Sequence, residues 1–215
     1  MRRAPVLTAA ASAAVLVVAP AWGSGNSGSG NGRTAQSESF FASGNASAHW
    51  DNSQSADSNR FSERYDVTDA TGIAGTTLHH VEGLPAPDAS PTFAYKADRS
   101  GPSGGSPRLV MVFGDPATGL TVGNIALTPD NWDTDWQTAG DGQWAVSGGT
   151  CGFKYHDQYD DAVACMGPGT VVTAAFLVTD SGWLYPTGYT NWVDDVQYDG
   201  KTISQPADNN NSSNS

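Results

Sequence analysis

Short apolar runs bordered by turn residues dominate the pattern of this chain. Residues 108–113 (RLVMVF) form one such run and are followed by Gly-Asp-Pro at 114–116. A longer run at 170–179 (TVVTAAFLVT) follows Gly-Pro-Gly and ends at Asp-Ser-Gly. Periodicity alone does not distinguish such runs from buried helices. Their β-branched residues and their Gly and Pro borders favour strands.

Five further segments show the same short pattern and are predicted as strands: 76–82, 92–97, 122–127, 144–146 and 192–198. No amphipathic stretch with helical spacing over about ten residues stands out. Short strands separated by Gly, Asp and Pro loops are typical of sandwich folds. The sequence therefore predicts an all-β chain folded as a single jelly-roll-like β-sandwich, with a meander barrel as the alternative.

The two ends of the chain differ from its middle. Residues 1–21 combine two arginines, an apolar run and small residues near position 21, the order of a secretory signal peptide. A retained membrane anchor is the alternative, although a span needs about 20 apolar residues. Residues 22–39 are rich in Gly, Ser and Asn and predict a flexible linker, and residues 206–215 predict a disordered polar tail. The folded domain is placed at 40–205 and is expected to be secreted and extracellular.

Acidic residues outnumber basic ones. The chain has 22 Asp and Glu against 10 Lys and Arg, which gives a formal net charge of −12 at pH 7. Such a charge repels phosphate backbones and anionic membrane surfaces. It argues against a nucleic-acid partner and against membrane insertion after the signal is removed.

Cys151 and Cys165 are the two cysteines of the chain. In an exported protein an even count at short spacing predicts a disulfide. Closing a loop of this length should stabilise the fold by about 3 kcal/mol in the chain-entropy model. Only His156 lies near them in sequence, so the soft ligands for a zinc site are too few.

The stretch 130–136 (DNWDTDW) places two tryptophans among carboxylates. Sugar rings offer a C–H face that stacks on aromatic rings, and hydroxyls that bond to Asp, Asn and Gln. We therefore predict glycan binding by five side chains of this region: Trp132, Trp136, Asp133, Asp135 and Trp144. The alternative for the first two is a place in the core at one end of the sandwich. A second aromatic patch is predicted from Tyr185, Tyr189 and Trp192.

Familiar hydrolase signatures are missing or lie in the wrong context. The sequence contains no His-Glu-x-x-His motif and no Glu-x-Asp-x-x-Glu strand, and the Gly-x-Ser-x-Gly match at 101–105 (GPSGG) has no apolar strand before it, as a nucleophile elbow requires. His80 and Glu82 would share one face of a strand, and Tyr155 and His156 lie inside the disulfide loop. These four are the candidates for acid–base catalysis if the protein is an enzyme. The alternatives are an exposed strand edge for the first pair and a polar hairpin tip for the second.

The segment 189–201 (YTNWVDDVQYDGK) carries the most specific pattern. Strict alternation predicts that Trp192, Asp194, Val196 and Tyr198 share one face, where a carboxylate needs a partner. The segment resembles the closing strand of jelly-roll carbohydrate-binding modules, which often has an apolar-Asp-Asp/Asn-apolar pattern followed by a polar-Gly turn.

Calcium is the cofactor that these patterns suggest. The resemblance implies that Asp194 helps to hold a structural Ca²⁺. Asp130, Asp133 and Asp135 form a second candidate set, because this ion prefers several oxygen ligands. No other cofactor is expected.

Together these features predict a secreted, non-catalytic domain that binds an extracellular polysaccharide or cell-wall glycan through Trp and Asp side chains. Two alternatives remain open at this point. One is a small secreted glycoside hydrolase or polysaccharide lyase, and the other is a structural protein of the cell envelope.

Overall fold

The computed structural model describes residues 36–57, 61–140, 143–180 and 188–203. The predicted signal peptide (1–21), most of the predicted linker (22–39), the polar tail (206–215) and Tyr185 lie outside these residues. None of the helices in the described residues has the length and apolarity that crossing a membrane requires.

Within the described residues the chain forms mainly short strands. In chain order the elements are β1 Gln36–Ser43, β2 Ala46–Asp51, β3 Ser62–Val67, β4 Ile73–His79, β5 Thr92–Ala97, β6 Gly101–Pro102, β7 Arg108–Gly114, β8 Thr121–Leu127, β9 Asn131–Trp132, β10 Gln137–Ala139, β11 Trp144–Gly148, β12 Lys154–His156, α1 Tyr159–Ala164, β13 Val171–Asp180, β14 Tyr189–Tyr198 and β15 Lys201–Thr202.

The strands build two antiparallel sheets. The larger one has seven strands in the order β1-β4-β13-β7-β8-β11-β12. The other has the order β10-β5-β14-β3-β2, with β15 paired to β14, and β6 and β9 pair separately. Successive strands such as β3, β4 and β5 pass from one sheet to the other, which is the connectivity of a jelly-roll-like sandwich. The prediction of an all-β sandwich with one disulfide is confirmed.

The core lies between the two sheets. Its largest fully buried side chains include Tyr65, Phe93, Phe113 and Trp144. On β5, alternation sends Phe93 and Tyr95 inward, and the intervening positions face outward. This alternation determines which side chains the six-stranded sheet presents on its outer face.

The predicted strands correspond to β4, β5, β7, β8, β11, β13 and β14. The first strand begins at Gln36, so its first four residues fall inside the stretch predicted as linker. There Ser37 pairs with Leu78, and the Ser39 hydroxyl lies 3.0 Å from Nε2 of His79. These contacts move the start of the domain before residue 40.

The alternation predicted for β14 is wrong beyond Asp194. The strand contains a bulge between Asp194 and Gln197, where Asp195 adopts φ of 45°. An extra residue in one strand moves the side chains that follow it to the opposite face of the sheet. Val196 and Tyr198 therefore point into the core, while Trp192 and Asp194 stay on the outer side.

The predicted disulfide between Cys151 and Cys165 is present, with its Cα atoms 5.4 Å apart. It joins the turn between β11 and β12 to the end of α1. The same turn is bonded to the helix by Thr150, whose N–H donates to the Cys165 carbonyl at 2.7 Å. The disulfide loop is therefore fixed at both ends on the edge of the seven-stranded sheet.

Candidate functional site

The outer face of the six-stranded sheet carries a continuous row of side chains. Cross-strand pairing sets His49 opposite Arg64 and Arg64 opposite Trp192. On the next strand Lys96 lies opposite Trp192. Trp136, directly before β10, completes the row beside Lys96. We call these five side chains the outer row.

Cations and indole rings alternate along the outer row. The Lys96 ammonium lies 5.4 Å from the ring centre of Trp192 and 5.8 Å from that of Trp136. The Arg64 guanidinium lies 5.6 Å from the Trp192 ring. All three distances are within the range of cation–π attraction. Both tryptophans are half-buried, so the row combines firm side-chain positions with contact to solvent.

Two carboxylates orient Arg64 and Trp192. Arg64 contacts Asp66 at 2.9 Å and Asp51 at 3.7 Å, and the Trp192 Nε1–H donates to Asp51 at 2.9 Å. Burial raises the pKa of Asp51, but hydrogen bonds from Ser53 and Trp192 and the charge of Arg64 outweigh it and lower that pKa. Burial likewise raises the pKa of Asp66, but hydrogen bonds from Thr190 and Arg64 and the charge of Arg64 outweigh it and lower that pKa. Both carboxylates therefore stay ionised and hold the row in place.

The segment 52–57 borders the outer row on one side. Gln54 accepts a hydrogen bond of 2.9 Å from the Lys96 ammonium. The Asp194 carboxylate accepts from the Ala56 N–H at 2.7 Å and from the Ser55 hydroxyl at 3.2 Å. Because Asp194 lies two residues beyond Trp192 on the same strand, these bonds hold the segment over the sheet. It forms a wall along the row.

A depression of 330 Å³ adjoins the other end of the row. Trp136 belongs to the row, and the next residue, Gln137, lines the depression. The polar side chains of its lining include Asp130, Asn131, Asp133, Gln137 and Gln143. Tyr95 and Trp132 supply aromatic surface. Hydroxyl-rich ligands require this combination of amide, carboxylate and aromatic groups.

The pKa of Tyr95 shows the effect of the negative charges around the depression. Its hydroxyl donates to the Asn131 carbonyl at 3.1 Å. Burial, and then the negative charges of Asp130 and Asp133, raise the pKa of Tyr95 above its ordinary value. The hydroxyl therefore stays protonated, and the field at this end of the sandwich is negative.

The structure separates the five side chains predicted to bind glycan. Trp132 is 3% exposed and packs on Tyr189, with ring centres 4.6 Å apart. Trp144 is fully buried against Tyr159. The expectation that these two rings stack on a sugar is corrected, because both belong to the core, although Trp132 also contributes to the lining of the depression. The alternative of a core position was right for Trp132.

The remaining members of that set stay near the surface. Asp133 lines the depression, Asp135 is exposed on the loop before β10, and Trp136 belongs to the outer row. Of the second predicted patch, Tyr189 is buried and Trp192 becomes the central ring of the row. Among the residues that the structure describes, Trp136 and Trp192 are thus the predicted aromatics that remain available to a ligand.

The four catalytic candidates are not brought together. His80 and Glu82 are exposed and follow β4, while Tyr155 and His156 belong to β12. Four strands lie between β4 and β12 in the sheet, which places them about 24 Å apart. Neither the depression described above nor a smaller one of 190 Å³ beside α1 is lined by any of the four.

The Asp194 carboxylate is almost fully buried and accepts hydrogen bonds from several donors. Besides Ser55 and Ala56, the backbone N–H of Asp195 donates to it at 2.7 Å. In the part of the chain that the structure describes, Asp194 does not belong to a group of three or more His, Cys, Asp or Glu side chains close enough to share an ion. Calcium at Asp194, or at Asp130, Asp133 and Asp135, stays a prediction.

Sequence reasoning missed His49, Arg64 and Lys96. The strands of His49 and Arg64, β2 and β3, were not predicted. The position of all three side chains on one face depends on the pairing of strands that are distant in the sequence. The available signal was the alternation of β5, where Lys96 follows the inward Phe93 and Tyr95. It identified a cation on an outer face without indicating its neighbours.

No protein-family model matches the chain, and no curated protein matches it significantly. Among solved structures, it is similar to the family 11 carbohydrate-binding module of the cellulosomal cellulase Lic26A-Cel5E of Clostridium thermocellum. The TM-score is 0.42 at 11% identity, covering 74% of this chain and 84% of that module.

Two further solved structures give comparable values. A family 11 module from Clostridium thermocellum, in complex with a β-1,3-1,4-mixed-linked tetrasaccharide, has a TM-score of 0.41 at 12% identity, covering 77% of this chain and 90% of the module. An arabinose-bound MgGH51 α-L-arabinofuranosidase has 0.39 at 15%, covering 72% of this chain and 22% of that enzyme. At such scores the likeness carries no argument about function, and the proposal below rests on this chain's own residues.

Proposed function

We propose that this protein is an extracellular, non-catalytic glycan-binding domain that holds a polysaccharide across the outer row. The observation that carries the proposal is the position of Trp136 and Trp192 on either side of Lys96, on one face of a rigid sheet. Two half-buried indoles with a hydrogen donor between them match the alternating apolar and hydroxylated surface of a sugar chain.

The dimensions of the row favour a chain over a single sugar. It crosses five neighbouring strands, from β2 to β10, so it extends over about 19 Å. The 52–57 wall lies along it. A ligand in this position would contact several sugar residues at once.

The row is also preorganised. The indole of Trp192 is hydrogen-bonded, Lys96 is bonded to Gln54, and Arg64 is bonded to two carboxylates. Side chains that are already ordered lose little conformational entropy on binding, which favours affinity from a modest contact area. The proposal of secretion rests on the N-terminal sequence pattern, with which a disulfide is compatible.

The test is retention of the mature protein on a panel of insoluble polysaccharides and cell walls. Wild type, Trp192→Ala and Trp136→Ala are compared with Tyr155→Ala as a matched control. Tyr155 is an aromatic residue 51% exposed on β12, in the other sheet. Soluble sugar is assayed in the same tubes.

We expect wild type and Tyr155→Ala to be retained equally, both tryptophan variants to be released, and no sugar to appear in solution. Loss in Tyr155→Ala alone would place binding on the other sheet. Release of soluble sugar by wild type would overturn the non-catalytic part of the proposal. No retention on any polysaccharide would overturn glycan binding itself.

A further inference from the structure

The two sulfurs of the Cys151–Cys165 disulfide lie in different surroundings. Cys151 is exposed in the turn between β11 and β12. Cys165 is 2% exposed, at the end of α1. Cys151 is therefore the residue of the pair that faces solvent.

A histidine stands beside the buried sulfur. The Nε2 atom of His156 lies 3.3 Å from Sγ of Cys165. This contact differs from ordinary packing, because it joins an acid–base group to the sulfur that would become the leaving group if Cys151 were attacked. The rate of thiol–disulfide exchange depends on how well the leaving thiolate is stabilised.

A reduced Cys165 would also be accommodated in place. Its sulfur lies 3.4 Å from the Asp161 carbonyl, which would accept a hydrogen bond from an S–H group. Thr150 donates to the Cys165 carbonyl through its N–H at 2.7 Å and its hydroxyl at 3.1 Å. These bonds, with the pairing of β11 and β12, keep the turn, the helix and His156 together after the S–S bond opens.

We propose that this disulfide is a site of thiol exchange, modified at Cys151 by an aliphatic thiol with His156 acting as the proton donor. The external thiolate attacks Sγ of Cys151 and forms a new S–S bond. The Cys151–Cys165 bond breaks, its electron pair passes to Cys165, and His156 transfers a proton to that sulfur. The product is a mixed disulfide on Cys151 and a buried thiol at Cys165, with no net oxidation or reduction. A second thiolate completes the reduction, leaving the external thiols joined as a disulfide.

The first test is the position of the modification. The folded protein is incubated with reduced glutathione, quenched in acid, digested with pepsin at low pH and mapped by mass spectrometry. We expect glutathione on Cys151 and a free thiol at Cys165. Glutathione mainly on Cys165, or equally on both, would overturn the proposal, as would a disulfide that glutathione does not open under native conditions.

The second test is the role of His156. The initial rate of exchange is measured for wild type, His156→Ala and, as a matched control, His79→Ala, which removes a half-buried histidine from β4, separated from β12 by four strands of the same sheet. We expect His156→Ala to be slower by about a hundredfold, the lower end of proton-transfer effects, and the control to be unchanged. Added imidazole should restore part of the lost rate, which a structural role for His156 would not explain. Equal rates in His156→Ala and wild type, with both shown folded by near-ultraviolet circular dichroism, would contradict the assignment.

Discussion

The indole Nε1 of Trp192 donates a hydrogen bond of 2.9 Å to the carboxylate of Asp51. The two residues belong to β14 and β2, which are separated in the sheet by β3. The bond therefore passes beside Arg64 and ties together three strands on the outer face. It fixes the edge of the indole and, with it, the orientation of the ring that a ligand would meet.

The acid sensitivity of the fold should follow from this arrangement. The pKa values of Asp51 and Asp66 are both lowered: burial raises each, but hydrogen bonds and the charge of Arg64 outweigh it. A carboxyl group with a lower pKa in the folded state contributes stability that is present above its unfolded pKa. That contribution is lost as the pH falls through the folded value.

We therefore expect the free energy of unfolding to decrease below pH 4 or so, the ordinary range for Asp. Asp51→Asn should be less stable than wild type at pH 7, and the difference should shrink at low pH. Urea unfolding between pH 7 and pH 2.5 measures both. A stability difference between Asp51→Asn and wild type that grows on acidification would contradict the lowered pKa of Asp51.

Lys96 should matter more for binding than for folding. Its ammonium contacts two rings and Gln54, so Lys96→Gln removes cation–π contacts worth about 1 kcal/mol. Retention on the glycan should fall strongly, because the charged ammonium between the two indoles is replaced by a shorter, neutral amide. Lys154→Gln, an exposed lysine on β12, is the matched control. If both variants bind equally well, Lys96 does not contact the ligand.

A buried polar contact should hold the two sheets in register. The Tyr65 hydroxyl, fully buried on β3, donates to the Glu63 carboxylate and lies 2.9 Å from the hydroxyl of Thr76 on β4. Tyr65→Phe leaves buried polar atoms without this partner, which costs about 1–3 kcal/mol. Chemical denaturation measures the loss. Tyr155→Phe, on an exposed ring, should be neutral, and equal effects of the two variants would contradict the argument.

The disulfide should contribute to stability as a crosslink of the unfolded chain. The double variant Cys151→Ser, Cys165→Ser removes a link across a sequence separation of 14. We expect a loss of about 3 kcal/mol in the free energy of unfolding, with the native near-ultraviolet spectrum retained. Loss of that spectrum would show that the turn and helix do not hold their places without the S–S bond.

Local sequence signals were sufficient for seven of the fifteen strands in the described residues and for the disulfide. The apolar runs at 108–113 and 170–179 were recognised because their composition and borders belong to a few consecutive residues. The same holds for Cys151 and Cys165, whose spacing is short. The bulge at Asp195 was missed because strict alternation assumes an unbroken ladder.

The site was harder to predict because it is assembled from distant segments. Lys96, Arg64 and Trp192 become neighbours only through the pairing of β5, β14 and β3, and no local pattern encodes that order. The 130–136 stretch was recognised as unusual, but composition does not reveal which of its tryptophans faces the core. Trp132 is buried because it packs against Tyr189 and bonds to Ser106, which are both distant from it in the sequence.

This difference between two nearby tryptophans gives the last prediction. Trp132 is 3% exposed, and its Nε1–H donates to the Ser106 carbonyl, whereas Trp136 is half-buried on the outer row. Trp132→Ala opens a large cavity and should cost about 3–5 kcal/mol, so any loss of binding would follow from unfolding. Trp136→Ala should leave the unfolding midpoint within a few degrees of wild type and abolish retention. Thermal unfolding and glycan pull-down on the same preparations separate the two effects. A folded Trp132→Ala that fails to bind would instead place the sugar in the depression beside that ring.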